Sequence, residues 1–194
     1  MVIAIEGMDG VGKTFISKYI SAKYGFIYVD KPTKYMFLDE NGNIEYQKFY
    51  KELEIIYRKD DSFRSEFFGK GNIISITKFK GKNIVIDRHL VSNYYWNGNE
   101  DLIPYYKKLI SKCGKPDLTI YLHGSSKVRY ERLKSRNIND VDLFDETVFL
   151  DGYDKCIKFM DEFKFNYKVI NTDNLSKEMV SFEVDNIIKE YLID

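Results

Sequence analysis

Short runs of consecutive apolar residues alternate along the chain with longer segments whose apolar positions recur at helical spacing. Val2-Ile3-Ala4-Ile5, Phe26-Ile27-Tyr28-Val29 and Asn83-Ile84-Val85-Ile86-Asp87 are runs of the first kind. So are Leu118-Thr119-Ile120-Tyr121-Leu122 and Tyr167-Lys168-Val169-Ile170-Asn171. Such runs predict strands buried on both faces. After the first run comes a glycine-rich turn, then a helix with Phe15, Ile16, Tyr19 and Ile20 on one face and Gly25 closing it at the C′ position. The stretch from Ile44 to Lys80 predicts two helices broken near Gly69-Lys70-Gly71, and a closing helix runs from Ser176 to about Leu192. Strands joined by helical crossovers give a five-stranded parallel sheet in a three-layer α/β/α domain. In such folds ligands gather beyond the carboxyl ends of the strands, so the residues just after each run become the candidates for chemistry.

Composition narrows the picture. The 194 residues fit a single domain spanning 1–194, and 30 basic side chains balance 30 acidic ones. Zero net charge argues against a nucleic acid polymer as partner while leaving room for small anions held by a local cluster. Cys113 and Cys156 lie far apart and outside any CxxC spacing, as expected of reduced thiols in the cytoplasm. No basic leader precedes the first apolar run, and no stretch approaches the about 18 apolar residues needed to span a bilayer, so neither secretion nor a membrane location is expected.

The first turn carries the sharpest signal. Gly7-Met8-Asp9-Gly10-Val11-Gly12-Lys13-Thr14 matches GxxxxGK[ST] between a strand and a helix, the context a phosphate-binding P-loop requires. Its glycines let backbone amides turn around a phosphate, Lys13 can bridge β- and γ-phosphates, and Thr14 can ligate Mg²⁺. A GTPase would want DxxG and NKxD after later strands, and neither is found. A small kinase using ATP remains.

Strand three ends in Asp87-Arg88-His89. Asp87 is placed to hold Mg²⁺ and Arg88 to clamp phosphoryl groups, whereas packing is the expected role of His89. Arg129, Arg132 and Arg136 fall at i, i+3 and i+7, a basic stripe running into Asn137-Ile138-Asn139-Asp140. In a small kinase this is where a helical lid, about residues 132–146, closes over the triphosphate and supplies a transition-state arginine. A solvated helix face is the alternative for the stripe.

These motifs together resemble the thymidylate kinase family. Ile5-Glu6-Gly7-Met8-Asp9-Gly10-Val11-Gly12-Lys13-Thr14 is similar to its EGxDGxGKT loop, Asp87-Arg88-His89-Leu90-Val91-Ser92 to its DR[YH]xxS motif, and Pro116-Asp117-Leu118-Thr119 to its PDLT strand. The resemblance implies a P-loop kinase fold and transfer of the γ-phosphoryl of MgATP to a deoxynucleoside monophosphate, foremost dTMP. It places Asp9 near the acceptor sugar, Arg88 on the acceptor phosphate, Ser92 and Asn93 by the acceptor, and Trp96 under the sugar. Gly10 in place of a P-loop arginine implies a version whose arginine comes from the lid, which Arg132 and Arg136 fit. Family members are commonly homodimers through helices beside strand three; Tyr94, Tyr95 and Trp96 there fit such a surface or a place in the core equally.

The chain departs from the family at named places. The lid reads Asp142-Leu143-Phe144-Asp145 without its DR arginine, and His123 replaces the strand-four aspartate. The thymine-reading Phe and Arg fall on Tyr57 and Asp61 in one register and on Phe63 and Phe67 in another, with Arg64 between them. A deoxynucleoside kinase on the same fold is the second reading, with Glu6 or Asp9 as the base a neutral hydroxyl requires. A nucleotide-binding switch or a protein without catalysis is the third.

Overall fold

The computed structural model describes residues 1–136 and 149–193. Five parallel strands, β1 (Val2–Glu6), β2 (Ile27–Asp30), β3 (Ile84–Asp87), β4 (Leu118–His123) and β5 (Tyr167–Asn171), form one sheet in the order β2-β3-β1-β4-β5. The apolar runs thus become strands to within one residue. β1 lies at the centre, pairing Ile5 with Asp87 of β3 and with Ile120 of β4. The ends of β1, β3 and β4 therefore open onto one edge of the sheet.

Period-two alternation decides which layer each strand residue meets. Ile3, Ile5, Val85, Leu118, Ile120 and Leu122 pack against Ile16 and Ile20 of α1 (Lys13–Tyr24) and Val180, Val184 and Ile188 of α8 (Lys177–Ile193). Ile84 and Ile86 face the other way, towards Ile76 of α3 (Asp61–Lys78). Tyr121 likewise meets Tyr94, Tyr106 and Phe159, from α4 (Leu90–Asn97), α5 (Ile103–Cys113) and α7 (Tyr153–Glu162). The result is the expected three layers. Phe15 departs from its expected buried face: it is half exposed, and Ser17 takes the inward position beside Ile16.

The middle helices break elsewhere than the glycines suggest. α2 (Tyr46–Ile56) ends at Tyr57, and α3 starts at Asp61 under Asp60, whose carboxylate accepts from Phe63 N at 2.8 Å. Gly69 and Gly71 lie inside α3 because neighbours approach too closely for a side chain. A Cβ on Gly69 would strike the Tyr105 hydroxyl, and one on Gly71 would lie 2.6 Å from Thr33 Cα. Of the two places open to Tyr94, a subunit surface or the core, it takes the core, stacking on Phe159 at 4.3 Å. α6 (Ser126–Arg136) ends the described part of the expected lid; the rest, including Asp142, Leu143, Phe144 and Asp145, lies outside the described residues. Among the described residues, no helix is long and apolar enough to cross a membrane.

Candidate functional site

The turn after β1 is built by left-handed glycines. Gly7, Gly10 and Gly12 have φ of 131°, 85° and 99°, a region that side chains disfavour. Gly10 also has no space to spare, since a Cβ there would lie 2.8 Å from Arg129 O. Val11 packs inward, and Gly12 caps α1, so the first turn of α1 presents Lys13 and Thr14 to the concavity. Lys13 is buried; its Nζ donates to Met8 O at 2.7 Å and lies 3.8 Å from Asp9 Oδ1. Burial, with Arg88 adding to it, lowers the Lys13 pKa to about 8. A cation held this way gains by meeting an anion.

Arg88 leaves β3 with φ of 72°, strained for a residue with a side chain. Its guanidinium pairs with the Asp9 carboxylate, and its buried Nη1 has no hydrogen-bond partner. Burial works against the charge of Asp9, but Arg88, Lys13 and Lys31 outweigh it and hold the Asp9 pKa down to about 2. Lys31 follows β2 as Arg88 follows β3: Asp30 and Asp87 are register partners, and each is followed by a cation at positive φ.

Glu6 is fully buried and fixed differently. Its oxygens accept from His89 N at 2.9 Å, Val91 N at 3.0 Å, Ser92 N at 3.2 Å and Ser92 Oγ. It caps the start of α4 and so sets the direction in which α4 leaves β3. Burial raises the Glu6 pKa, against the pull of these donors and Arg88. His89 is buried with neither ring nitrogen bonded, and burial takes its pKa down to about 3. It is a neutral packing residue.

Thr14 Oγ1 donates to Asp87 Oδ2 at 2.5 Å, which joins the helix start of α1 to the end of β3. A hydroxyl and a carboxylate are hard oxygen donors of the kind Mg²⁺ takes when phosphates and water complete its shell. The described residues hold no cluster of three or more metal-ligating His, Cys, Asp or Glu side chains. The pair thus fits a metal carried in with a polyphosphate rather than a cage made by protein alone.

The other sequence-predicted residues divide into two groups. Ser92 and Trp96 line a narrow crevice with Gly7, Met8, Tyr95 and Cys156, directly beside the P-loop. Asn93 is turned away: its Nδ2 donates to Ser65 O at 3.1 Å and its Oδ1 accepts from Tyr106 OH at 3.2 Å. Tyr57 is 60% exposed and packs beside Phe68 at 6.2 Å. Arg64 pairs with Asp61 on α3. Arg132 donates from Nη1 to Thr172 Oγ1 at 2.9 Å and from Nη2 to Thr172 O at 2.5 Å, just past β5. Arg136 forms the C-terminal end of α6.

The basic stripe is not one solvent-facing row. Arg129 is 1% exposed and points into the molecule, donating to carbonyls of Gly124 and Leu150 and of the P-loop itself. Sequence spacing could not distinguish it from Arg132, because both lie on the α6 face that meets the sheet edge. The capping role of Glu6 was similarly missed; a carboxylate one residue before a glycine loop gives no sign that another helix starts beside it.

A thymidylate kinase family model matches residues 5–183. The chain is 31% identical over 191 residues to the "Putative adenylate kinase" of Thermococcus kodakarensis, covering 97% of this chain and 86% of that one. It is 26% identical over 190 residues to the deoxyguanosine kinase of Bacillus subtilis, covering 92% of this chain and 88% of that one. Among solved structures, the deoxyadenosine kinase from M. mycoides with bound dATP has a TM-score of 0.64 at 21% identity, over 97% of this chain and 100% of that one, a likeness of fold. A family match along most of the chain thus coincides with a phosphate cradle facing an arginine across β1 and β3, and the chain belongs to the thymidylate kinase family, as a phosphotransferase of the nucleoside-monophosphate kinase type.

Proposed function

We propose that the chain transfers the γ-phosphoryl group of MgATP to the phosphate of a deoxynucleoside monophosphate, with dTMP as the acceptor. One observation carries the choice of a monophosphate over a nucleoside: the cations at the strand ends converge, while the carboxylates are engaged. Lys13, Arg88 and Lys31 act together on Asp9, an arrangement that suits an incoming anion. A nucleoside acceptor presents a neutral hydroxyl and needs a free carboxylate base. Glu6 holds four donors at the start of α4, and Asp9 is paired with Arg88 at a pKa of about 2. Neither suits a base.

In this reading the amides of Gly10, Val11 and Gly12 and the start of α1 cradle the ATP phosphates with Gly7 shaping the turn, and Lys13 neutralises charge on the group in transfer. Thr14 and Asp87 would hold Mg²⁺, which supplies charge neutralisation on the polyphosphate. Arg88 exchanges Asp9 for the acceptor phosphate, and Asp9 then turns to the sugar. Ser92 and Trp96 shape the acceptor side of the crevice, Tyr57 and Arg64 are assigned to the base by the family resemblance, and Arg132 and Arg136 serve the donor. Asn93 acts on the acceptor through its hold on α3. No proton need be removed, because the acceptor phosphate is already anionic. The same reading takes the cytoplasm as the location and a homodimer as the working assembly.

Release of ADP from MgATP, measured across deoxynucleosides and their monophosphates, tests the proposal. Turnover with monophosphates, dTMP foremost, is the expected result. Turnover with nucleosides alone would establish a deoxynucleoside kinase, and binding without turnover would establish a non-catalytic nucleotide binder.

A further inference from the structure

Arg129 is a buried cation with no role in the reading above. Its Nε donates to Gly124 O at 3.1 Å, its Nη1 to Asp9 O at 3.4 Å and its Nη2 to Leu150 O at 2.6 Å. All three acceptors are backbone carbonyls. Burial accordingly lowers its pKa, with Asp151 and Asp9 acting in the opposite sense from farther away. A guanidinium bonded to carbonyls in a protein interior is costly, so a purely structural clamp would be better made by an uncharged group.

Its place gives the charge a use. The three carbonyls belong to the P-loop, the turn between β4 and α6, and the segment leading into α7. The Arg129 backbone is the surface against which Gly10 closes, and Gly152, two residues after Leu150, packs on Met8 and Tyr95. The guanidinium thus fixes the peptide that carries Asp9 from behind, while Arg88 holds the same residue's carboxylate from in front.

We infer that Arg129 is a positioning residue for phosphoryl transfer, acting through Asp9. It holds the Asp9 peptide so that the carboxylate meets Arg88 and can yield that partner to the acceptor phosphate. The inference rests on the kinase reading above, but its decisive readout is the coupling between two residues.

The test is a double-mutant cycle of Arg129→Lys with Asp9→Asn, in the full chain, with thermal unfolding followed in parallel. Arg129→Lys keeps the charge and loses the three-way fork. The expected result is a fall in kcat of at least about tenfold and a rise in acceptor KM, with KM for ATP within about twofold. In the Asp9→Asn background the same change should have little further effect. Effects that multiply in the double variant, or a folded Arg129→Lys with near-normal kcat, would overturn the inference. Should Arg129→Lys fail to fold, the wild-type chain still decides, through the NMR signal of the Arg129 Nη1 protons, which donate to Asp9 O. That signal must shift when dTMP is titrated in; no shift at saturation overturns the assignment. Failure of the kinase reading looks different: no monophosphate then turns over, even with the wild-type chain.

Discussion

Two polar clusters flank α4, and they are built to opposite ends. Behind α4, Ser65 Oγ donates to Asn97 O at 2.8 Å and shares a hydrogen bond of 2.9 Å with Tyr106 OH, while Asn97 Nδ2 reaches Asn93 Oδ1 at 3.1 Å. Each of these four side chains has partners within the protein. In front of α4, Lys13, Asp9, Arg88 and Asp87 crowd the strand ends, with one buried guanidinium nitrogen unbonded and two pKa values displaced. A closed network of neutral groups fixes helices against one another. An open network of charges is what a site looks like before its ligand completes it.

Breaking the open cluster gives the largest effect. Lys13→Ala should lower turnover by about 10³-fold or more, since a preorganised charge at the transferring group is lost. It should leave thermal stability close to that of the wild type, because it removes a buried charge whose ionisation the fold already disfavours. Steady-state kinetics beside a melting curve checks both halves. Near-normal turnover would remove Lys13 from the reaction.

The carboxylates Glu6 and Asp9 sharpen the contrast, being three residues apart in one turn. Glu6→Gln places an amide group among four donors, so stability should fall by about 2 kcal/mol in denaturant unfolding. Asp9→Asn should do the reverse: a small change in stability, with a marked loss of kcat and a raised acceptor KM. If Glu6→Gln kept its stability and lost its activity, the division between fixed and free carboxylates would be wrong.

Tyr106→Phe probes the closed cluster. Its hydroxyl bonds Ser65 and Asn93, so about 1 kcal/mol of stability should be lost while KM and kcat stay within about twofold.

The same contrast explains what the sequence revealed. Runs such as Ile84-Val85-Ile86 are legible because burial on both faces demands apolar residues at every position. The P-loop is legible because backbone geometry and phosphate chemistry dictate glycines and Lys13 at fixed spacing. Gly69 and Gly71 misled because glycine also serves close packing, and only the position of Tyr105 and Thr33 reveals which use applies. Arg129 and Asn93 were illegible for a related reason. Asn93 bonds Ser65, 28 residues away, and Arg129 bonds Asp9, 120 residues away, and spacing along one helix says nothing of either. Local rules therefore read the glycine turn and left the contact of Arg129 with Asp9 O unseen.

The smallest effect is a proton count, and it reads the open cluster directly. Lys13 titrates near 8 in the ligand-free fold, below its ordinary 10.5. Between these two values the unfolded chain binds more protons than the folded one, so stability should rise with pH through that window. Lys13→Met should lack this rise. A bound polyphosphate adds negative charge beside Lys13 and raises its pKa, so binding ATP near pH 8 must take up a fraction of a proton. Calorimetric titrations in buffers of different ionisation enthalpy measure that fraction, with Lys13→Met subtracting the titration of ATP itself. Uptake that is large at pH 8 and absent at pH 6.5 is expected. Equal uptake by wild type and variant would mean that the triphosphate does not meet Lys13, and the cluster would then be closed after all.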